Sequence, residues 1–310
     1  MKKYIPILAV CLFAGCASDE TQDYHPELRL LFQPNMYMHV SHEDVDLFTT
    51  DRSFGVSAWK LSEGQTWKRD ASQAVSYLSM SEARSRKVSF TDASTNGTIE
   101  DTLWMVSDNV YWPSQEESLT FLAYSPYSAN CSCDPMLGVT YTVNTLENQT
   151  DFLYSRLHAD KFSSNNGGVV PIQFEHALCK VDFRVKKQVY GNDRIIVKSI
   201  TLDQAHCRGT FRSLATPHWE KEETLEPLPI FEGNEDIGSV PQSIGRYWMM
   251  IPQQLASPVT VEYEYITPTQ TLSWKKQTVP LRTGLEAGRS YTFTLLIGWD
   301  DVIFQQELLE

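Results

Sequence analysis

The chain has 310 residues, and its 26 basic and 39 acidic residues give a formal net charge of −13. With 42% hydrophobic and 21% charged residues it has an ordinary globular composition, which excludes extended disorder and a bundle of membrane helices. The acidic balance argues against a nucleic-acid partner, because binding to a phosphate backbone needs clustered lysine and arginine. A chain of this length suits about two domains.

The N-terminal residues carry the pattern of a bacterial lipoprotein signal. Lys2 and Lys3 form a positively charged n-region. An apolar segment that is too short to cross a bilayer follows, and small residues then precede Cys16. We therefore predict that residues 1–15 are a signal peptide and that Cys16 becomes the acylated N-terminus, with lipid as the membrane anchor. The alternative is an ordinary secretory signal with an incidental cysteine.

Residues 16–26 are polar and acidic, which predicts a flexible tether between the lipid and the folded part. The acidic stretch directly after Cys16 resembles the export signal that sends some lipoproteins to the cell exterior. The expected location is therefore the outer membrane, with the protein lipid-anchored and exposed at the cell surface.

Strand alternation runs through most of the remaining chain, and helical periodicity is almost absent. The high aromatic content of 12% also favours strands. Short strands separated by turn residues in this rhythm predict an all-β fold built from β-sandwiches. The predicted strands cover residues 28–32, 36–40, 54–59, 102–106, 119–124, 139–143, 152–154, 172–174, 178–185, 195–202, 247–251, 259–266, 271–275 and 290–297.

The clearest turn cluster is Ser-Ser-Asn-Asn-Gly-Gly at residues 163–168. It divides the chain behind the tether into a predicted N-terminal β-sandwich domain, residues 27–164, and a C-terminal β-sandwich domain, residues 169–310. Each would hold about seven strands, enough for two packed sheets. Residues 217–243 contain many acidic side chains and turn residues, and we interpret them as an exposed loop insertion in the second domain.

Four cysteines remain after signal removal and lipidation, and their disulfide state is open. Export permits disulfides. Cys179 and Cys207 both lie in strand-like sequence and could pair if those strands face each other. Cys131 and Cys133 lack the spacing of a zinc site, and we interpret them as two free or locally bridged thiols in a loop.

No motif predicts catalysis. The sequence has no G-x-S-x-G, no phosphate-binding glycine loop and no H-E-x-x-H, and the S-x-x-K at residues 57–60 lacks its companion motifs. The histidines and acids of residues 39–46 are interpreted as an exposed acidic loop, and His176 as a packed structural histidine. We expect no enzyme activity, no metal and no cofactor.

Six segments, in order and with matching spacing over residues 104–300, carry a resemblance to the fimbrillin-like (Mfa-like) proteins of Bacteroidales. That resemblance implies two tandem transthyretin-like Greek-key β-sandwich domains. It also implies a structural, anchor or tip component of a type V pilus, or a related surface adhesin. The segments are Tyr-Trp-Pro at 111–113, Leu-Thr-Phe-Leu-Ala-Tyr-Ser-Pro at 119–126, Gln-Thr-Asp-Phe-Leu-Tyr at 149–154, Phe-Glu-His-Ala-Leu-Cys-Lys-Val at 174–181, Met-Ile-Pro-Gln at 250–253 and Gly-Arg-Ser-Tyr-Thr-Phe-Thr at 288–294.

The resemblance further implies assembly with other pilus subunits by β-strand addition. A protease specific for arginine or lysine removes the first strand, and the vacated groove accepts a strand from the next subunit. Here the candidate removable strand carries Leu28, Leu30 and Phe32, and Arg52 is the best processing candidate. The alternative is that Arg52 is an ordinary loop residue and the protein stays lipid-anchored.

Two further interpretations concern the C-terminal tail and the tryptophans. Residues 300–310 are either a short donor strand or a final edge strand. An alternative function is a surface lipoprotein that binds glycans, or another host or bacterial surface ligand, through exposed aromatics. Trp67 and Trp219 lie in polar sequence and are the predicted glycan contacts.

Overall fold

The computed structural model describes residues 29–36, 48–49, 51–62, 64–78, 85–92, 102–108, 110–113, 118–160, 168–188, 191–214, 216–269 and 272–308. The predicted signal and tether, Cys16, Leu28 and the acidic cluster at 39–46 lie outside these residues. Across the described parts of the chain, no helix has the length and apolar character needed to span a membrane.

Strands dominate both halves of the described chain, which confirms the predicted all-β class. The helical content of the described residues is one α-helical turn, α1 (Trp67–Asp70), and the 3₁₀ turn at Ala71–Gln73. The first half forms β1 (Leu31–Met36), β2 (Ser53–Leu61), β3 (Val75–Leu78), β4 (Arg86–Asp92), β5 (Thr102–Val106), β6 (Ser118–Ser125), β7 (Cys131–Asp134), β8 (Gly138–Val143), β9 (Leu153–Asp160) and β10 (Val169–His176).

The second half contributes two sheets that share one hydrophobic core. One sheet has the order β16-β11-β20-β21, with β17 also beside β11, and the other has the order β15-β12-β18-β19. The strands are β11 (Cys179–Lys187), β12 (Arg194–Ala205), β13 (Gly209–Arg212), β14 (His218–Lys221), β15 (Glu226–Asp236), β16 (Gln242–Ser243), β17 (Trp248–Met250), β18 (Gln253–Ile266), β19 (Leu272–Leu285), β20 (Ser290–Ile297) and β21 (Val302–Leu308).

The first sheet closes on itself. Its order is β3-β2-β4-β5-β1-β10-β9-β6, and β6 pairs back with β2, so that seven strands form a circuit with β3 alongside β2. Aromatic and aliphatic side chains from these strands fill the interior as a separate core. Closure leaves β1 inside the circuit, with a neighbour on each side, instead of at a free edge.

A four-stranded sheet joins the two halves. Its order is β14-β13-β8-β7, so one hairpin comes from residues before the turn cluster at 163–168 and the other from residues after it. In addition, β10 follows that cluster but pairs with β1 and β9 in the first sheet. The division into domains 27–164 and 169–310, and the tandem Greek-key topology, stay predictions.

Two sequence interpretations are wrong. Residues 217–243 are not a loop insertion, because they form β14, β15 and β16, and Leu228 and Ile230 of β15 are 4% and 2% exposed. Cys131 and Cys133 are not loop residues, because they lie on β7, where both side chains are buried. Prolines hide the alternation of β15, and the short β7 has too few residues to reveal one.

Candidate functional site

Strand β1 completes the circuit of the first sheet between β10 and β5. It runs parallel to β10 over six residue pairs that begin with Leu31 opposite Val169. On its other side, the described residues show one pair with β5, Phe32 opposite Trp104. Because the ladder to β5 is so short, β1 is held largely by its ladder to β10 and by the side chains that it buries.

The side chains of β1 alternate between core and surface. Leu30, directly before the strand, is 1% exposed and Phe32 is 0% exposed, whereas Gln33 is exposed. The Phe32 ring lies edge-on to two others, with centroids 6.0 Å from those of Phe54 and Phe121. Full burial of each such apolar side chain is worth about 1.5–3 kcal/mol, so these two residues contribute strongly to the first core.

The beginning of β1 is fixed by Val110 and by Trp112 of the Tyr-Trp-Pro segment that follows it. The Leu30 amide donates to the carbonyl of Val110 at 2.7 Å. Trp112 packs against Phe121, with ring centroids 6.1 Å apart, and its Nε1 donates to the carbonyl of Gly168 at 2.8 Å. This segment therefore closes the groove around β1 at the strand's first residue.

Phe48 covers the groove near the other end of β1. Its ring stacks on Phe174, with centroids 5.0 Å apart and planes 13° apart, and it meets Trp104 edge-on at 5.0 Å. Phe174 lies opposite Met36, the last residue of β1. We call Leu30, Phe32, Pro34, Met36 and Phe48 the N-terminal plug, and we call the space that they fill between β5 and β10 the acceptor groove.

Arg52 lies between the plug and the rest of the chain. It is half-buried in a turn, its amide donates to the carbonyl of Thr49 at 3.1 Å, and its guanidinium carbon lies 5.9 Å from the centroid of the Phe48 ring. Its neighbour Asp51 is exposed, and a hydrogen bond from the Thr49 hydroxyl lowers the pKa of that carboxyl. Cleavage after Arg52 would make Ser53, the first residue of β2, the new N-terminus and would separate the whole plug from the chain. That Arg52 is cleaved stays a prediction.

Strand β21 is the last strand of its sheet and pairs with β20 over seven residue pairs. Phe304 packs against Phe293, with ring centroids 5.3 Å apart, and Ile303 is 44% exposed. An open cleft of about 510 Å³ separates Phe304 from residues 280–282 of β19. In this state the C-terminal tail is an edge strand, the second of the two alternatives left open by the sequence.

The predicted glycan contacts present no open aromatic platform. Trp67 is 8% exposed and lies beside Trp59, with ring centroids 6.2 Å apart. Trp219 is half-buried, its Nε1 donates to the carbonyl of Ala177 at 2.7 Å, and its ring packs on Phe211. Trp219 thus fixes the two-residue connection between β10 and β11. A glycan contact at either position stays a prediction.

All four described cysteines are free and buried. Cys179 does not pair with Cys207, and its Sγ lies 3.3 Å from the carbonyl oxygen of Met250, to which it donates. Burial raises the pKa of Cys133 to about 11 and that of Cys179 to about 12. These thiols are core residues.

The buried thiols predict a loss of stability at high pH. Folding raises their pKa values above the ordinary 9, so the stabilisation is complete below pH 9 and is lost as the pH rises toward 11 and 12. Each such thiol lowers the free energy of unfolding by about 1.4 kcal/mol per pH unit in that window. Urea denaturation at pH 8, 9 and 10 measures the slope of the unfolding free energy against pH. In Cys179→Ala this slope should be smaller by the contribution of one thiol. An equal slope in that variant would contradict the assignment.

The described chain shows no cluster of metal-binding side chains, and the residues singled out in the sequence have ordinary structural partners. No three His, Cys, Asp or Glu side chains of the described residues form a group that could hold a metal ion. Ser57, from the S-x-x-K segment, is buried and its hydroxyl lies 2.8 Å from that of Ser85. His176 is half-buried with its Nδ1 2.7 Å from Asp151 Oδ2.

Alternation in the sequence marks Leu30 and Phe32 as inward residues, but it does not mark Phe48 or Trp112 as parts of the site. Phe48 is an isolated aromatic residue beside an acidic stretch, and no local period marks it. Trp112 was recognised as part of a motif, and its role at the groove emerges only when residues 110–112 meet the start of β1.

Comparison with known proteins defines the class of protein that carries this fold and groove. Residues 46–307 match the model of the fimbrillin-like family. Because the match covers most of the chain, the protein belongs to the fimbrillin-like family, in agreement with the resemblance seen in its sequence motifs.

Individual relatives are more distant. The fimbrium subunit Fim1C of Phocaeicola vulgatus is 22% identical over 232 residues, which cover 66% of this chain and 56% of that protein. The match therefore spans little more than half the length of this curated relative.

A solved structure from Bacteroides ovatus, described as a candidate cell adhesion protein, has a TM-score of 0.53 and 14% identity over 91% of this chain and 96% of its own. The fimbrial anchor protein Mfa2 from Porphyromonas gingivalis has a TM-score of 0.37 and 8% identity over 91% of this chain and 99% of its own.

Proposed function

We propose that this protein is a lipid-anchored surface subunit of a pilus, either a structural or accessory component or an adhesin, which assembles by β-strand addition. Its partners would be other pilus subunits, the outer membrane through the lipid on Cys16, and a ligand on a host or bacterial surface. Membership of the fimbrillin-like family and the likeness to a fimbrium subunit support this role. The role is structural and adhesive, without catalysis, and processed subunits would lie in the fimbrium.

A match between the two ends of the folded chain carries the proposal. With Phe304 aligned on Phe32, residues 302–308 read Val-Ile-Phe-Gln-Gln-Glu-Leu against Leu-Leu-Phe-Gln-Pro-Asn-Met at residues 30–36. Large apolar residues thus fall on the first, third and seventh positions of both segments, which share one face of a strand. Strand β21 of one subunit therefore has the pattern needed to replace the plug strand in another.

The partial burial of β21 follows the same alternation. Val302 and Phe304 are half-buried against the hydrophobic core that the two sheets of the second half share. Ile303, between them, is 44% exposed. Leu30 and Phe32 are buried in the same way on either side of the less buried Leu31. A donor strand in this register would put its phenylalanine into the space of Phe32.

One inward position differs between the two segments. Gln306 aligns with the buried Pro34. Proline has no backbone N–H, so a glutamine at this position offers the groove one more backbone donor and one side-chain amide. The exchanged strand would therefore match the plug in shape at most positions and add hydrogen-bonding capacity at this one.

The positions of β1 and β21 in their sheets favour strand exchange. An edge strand loses one ladder when it leaves, and β21 pairs only with β20 among the described strands. Removal of β1 would break the circuit between β5 and β10, which exposes two unpaired edges and the apolar pockets of Leu30 and Phe32. Exposed edges and apolar surface of this kind favour the capture of another strand.

Limited digestion of the full chain with an arginine-specific protease tests the proposal. We expect a product that starts at Ser53, followed by polymers that are visible by light scattering and electron microscopy. Arg52→Ala should remain uncut at this position and monomeric. Arg69→Ala is the matched control, because Arg69 is an exposed arginine outside the plug, and it should behave as the wild type. A product that starts at Ser53, releases the plug and remains monomeric would refute strand addition.

A further inference from the structure

The outer face of the β15-β12-β18-β19 sheet exposes an indole ring. Trp274, near the start of the edge strand β19, is 61% exposed and is the most exposed of the eight tryptophans. Leu272, two residues earlier on the same face, is 53% exposed. An indole combines a large flat apolar face with a polar N–H, so an exposed tryptophan beside a second exposed apolar side chain offers a contact surface to a ligand.

Neighbouring side chains fix the position of this ring. Glu264 on β18 lies directly opposite Trp274 in the antiparallel ladder. The Nζ atom of Lys198 lies 5.6 Å from the centroid of the Trp274 ring and 3.1 Å from Glu264 Oε2. A cation at this distance interacts favourably with the aromatic face, so the indole is oriented before any ligand arrives.

The same face continues as a row of hydrogen-bonding groups. Lys276 follows Trp274 on β19, and its Nζ lies 2.8 Å from Glu262 Oε1 on β18. The next pair along the ladder is Thr260 and Thr278, whose hydroxyl oxygens lie 3.3 Å apart. Each lysine is paired with a glutamate, and the Thr260 hydroxyl also donates to Asp203 Oδ2 at 2.9 Å, so the face has no excess of positive charge and carries both donors and acceptors.

We propose that Trp274 and this polar row, with Lys198, Glu264, Lys276 and Glu262, bind an uncharged polysaccharide. The C–H face of a sugar ring can lie on the flat indole while its hydroxyls bond to the carboxylates and ammonium groups beside it. The ion-paired surface offers no excess of positive charge for an anionic glycan, and the net charge of −13 repels one.

A protein partner fits this surface less well. A specific protein interface buries about 800 Å² on each partner around a cluster of apolar anchors. Here the apolar strip is one side chain wide, made of Leu272 and Trp274 with the half-buried Ile266 beside them. None of these residues belongs to the plug, the acceptor groove or β21, so the inference stands or falls independently of strand exchange.

Affinity electrophoresis of the full chain tests the inference. Native gels are cast with mannan, xyloglucan or laminarin as uncharged polymers, and with heparin as an anionic one. We expect at least one uncharged polymer to retard the wild type, with binding about tenfold weaker in Trp274→Ala. Trp274→Phe should retain part of the retardation, because it keeps an aromatic face. The unfolding midpoint of Trp274→Ala should match the wild type, since the side chain is mostly exposed.

Tyr247→Ala is the matched control. Tyr247 is 57% exposed and has the Nζ of Lys180 5.1 Å from its ring centroid, but it precedes β17 instead of lying on β19. This variant should bind as the wild type does. Equal losses in the two alanine variants, retardation by heparin alone, or no retardation by any uncharged polymer would each overturn the proposal. So would a Trp274→Ala effect confined to association with a protein.

Discussion

The Phe32→Ala variant is expected to lose about 3–5 kcal/mol of unfolding free energy, the range for truncation of a buried aromatic side chain. Phe32 is 0% exposed, and its ring meets those of Phe54 and Phe121 edge-on at 6.0 Å. Truncation would open a cavity in the centre of the first core, bounded by strands that the closed circuit keeps in place. Urea denaturation followed by circular dichroism measures the loss. It would be a large part of the roughly 5–15 kcal/mol that stabilises a typical domain.

Gln33→Ala provides the control on the same strand. Gln33 is exposed, and changes at exposed positions usually stay within about 0.5 kcal/mol. If both variants unfold at the same urea concentration, the β1 side chains do not support the first core and the plug has no energetic basis. After cleavage at Arg52, Phe32→Ala should also release the plug faster, because much of its apolar contact is gone.

Sequence alternation located the strands whose faces differ in burial. The predicted strand 119–124 lies within β6, 259–266 within β18, and 290–297 coincides with β20. In β18 every second residue from Gln253 to Tyr265 is buried, so the period of two appears directly in the sequence. Such strands can be predicted because local burial and local pattern agree.

Strands with prolines or few residues escaped prediction. Pro227 and Pro229 flank the buried Leu228 in β15, and acidic residues fill much of the rest of that strand. Proline is common on edge strands, where a missing N–H is tolerated, and β15 is such an edge. Strand β1 also contains a proline, although it lies inside the circuit, and its ladder to β10 continues through Pro34 without a break.

The groove itself could be predicted only in part. Alternation identified Leu30 and Phe32 as inward residues, but it could not show that β1 pairs in parallel with β10, which is far away along the chain. Nor could it place Phe48, whose ring meets residues from three different strands, β2, β5 and β10. Contacts of this kind depend on chain closure, and closure leaves no local pattern.

Strand exchange predicts a strong preference among donor peptides. A synthetic peptide with the sequence of residues 301–308 should bind the chain cleaved after Arg52, displace the plug and block polymer growth. Changing Phe304 to alanine in the peptide should weaken binding about 100-fold, because it removes the side chain meant for the Phe32 pocket. Fluorescence anisotropy of a labelled peptide measures affinity, and reversed-phase chromatography detects the released plug.

Ile303→Ala in the same peptide is the matched control. Ile303 aligns with Leu31, whose side chain is only half-buried, so its loss should weaken binding much less than the loss of Phe304. The comparison also tests register, since a shift of one residue turns every side chain to the other face of the strand. If Ile303→Ala weakens binding more than Phe304→Ala, the donor enters one residue out of the proposed register. If neither change matters, β21 is not the donor, and the match between residues 30–36 and 302–308 has no part in assembly.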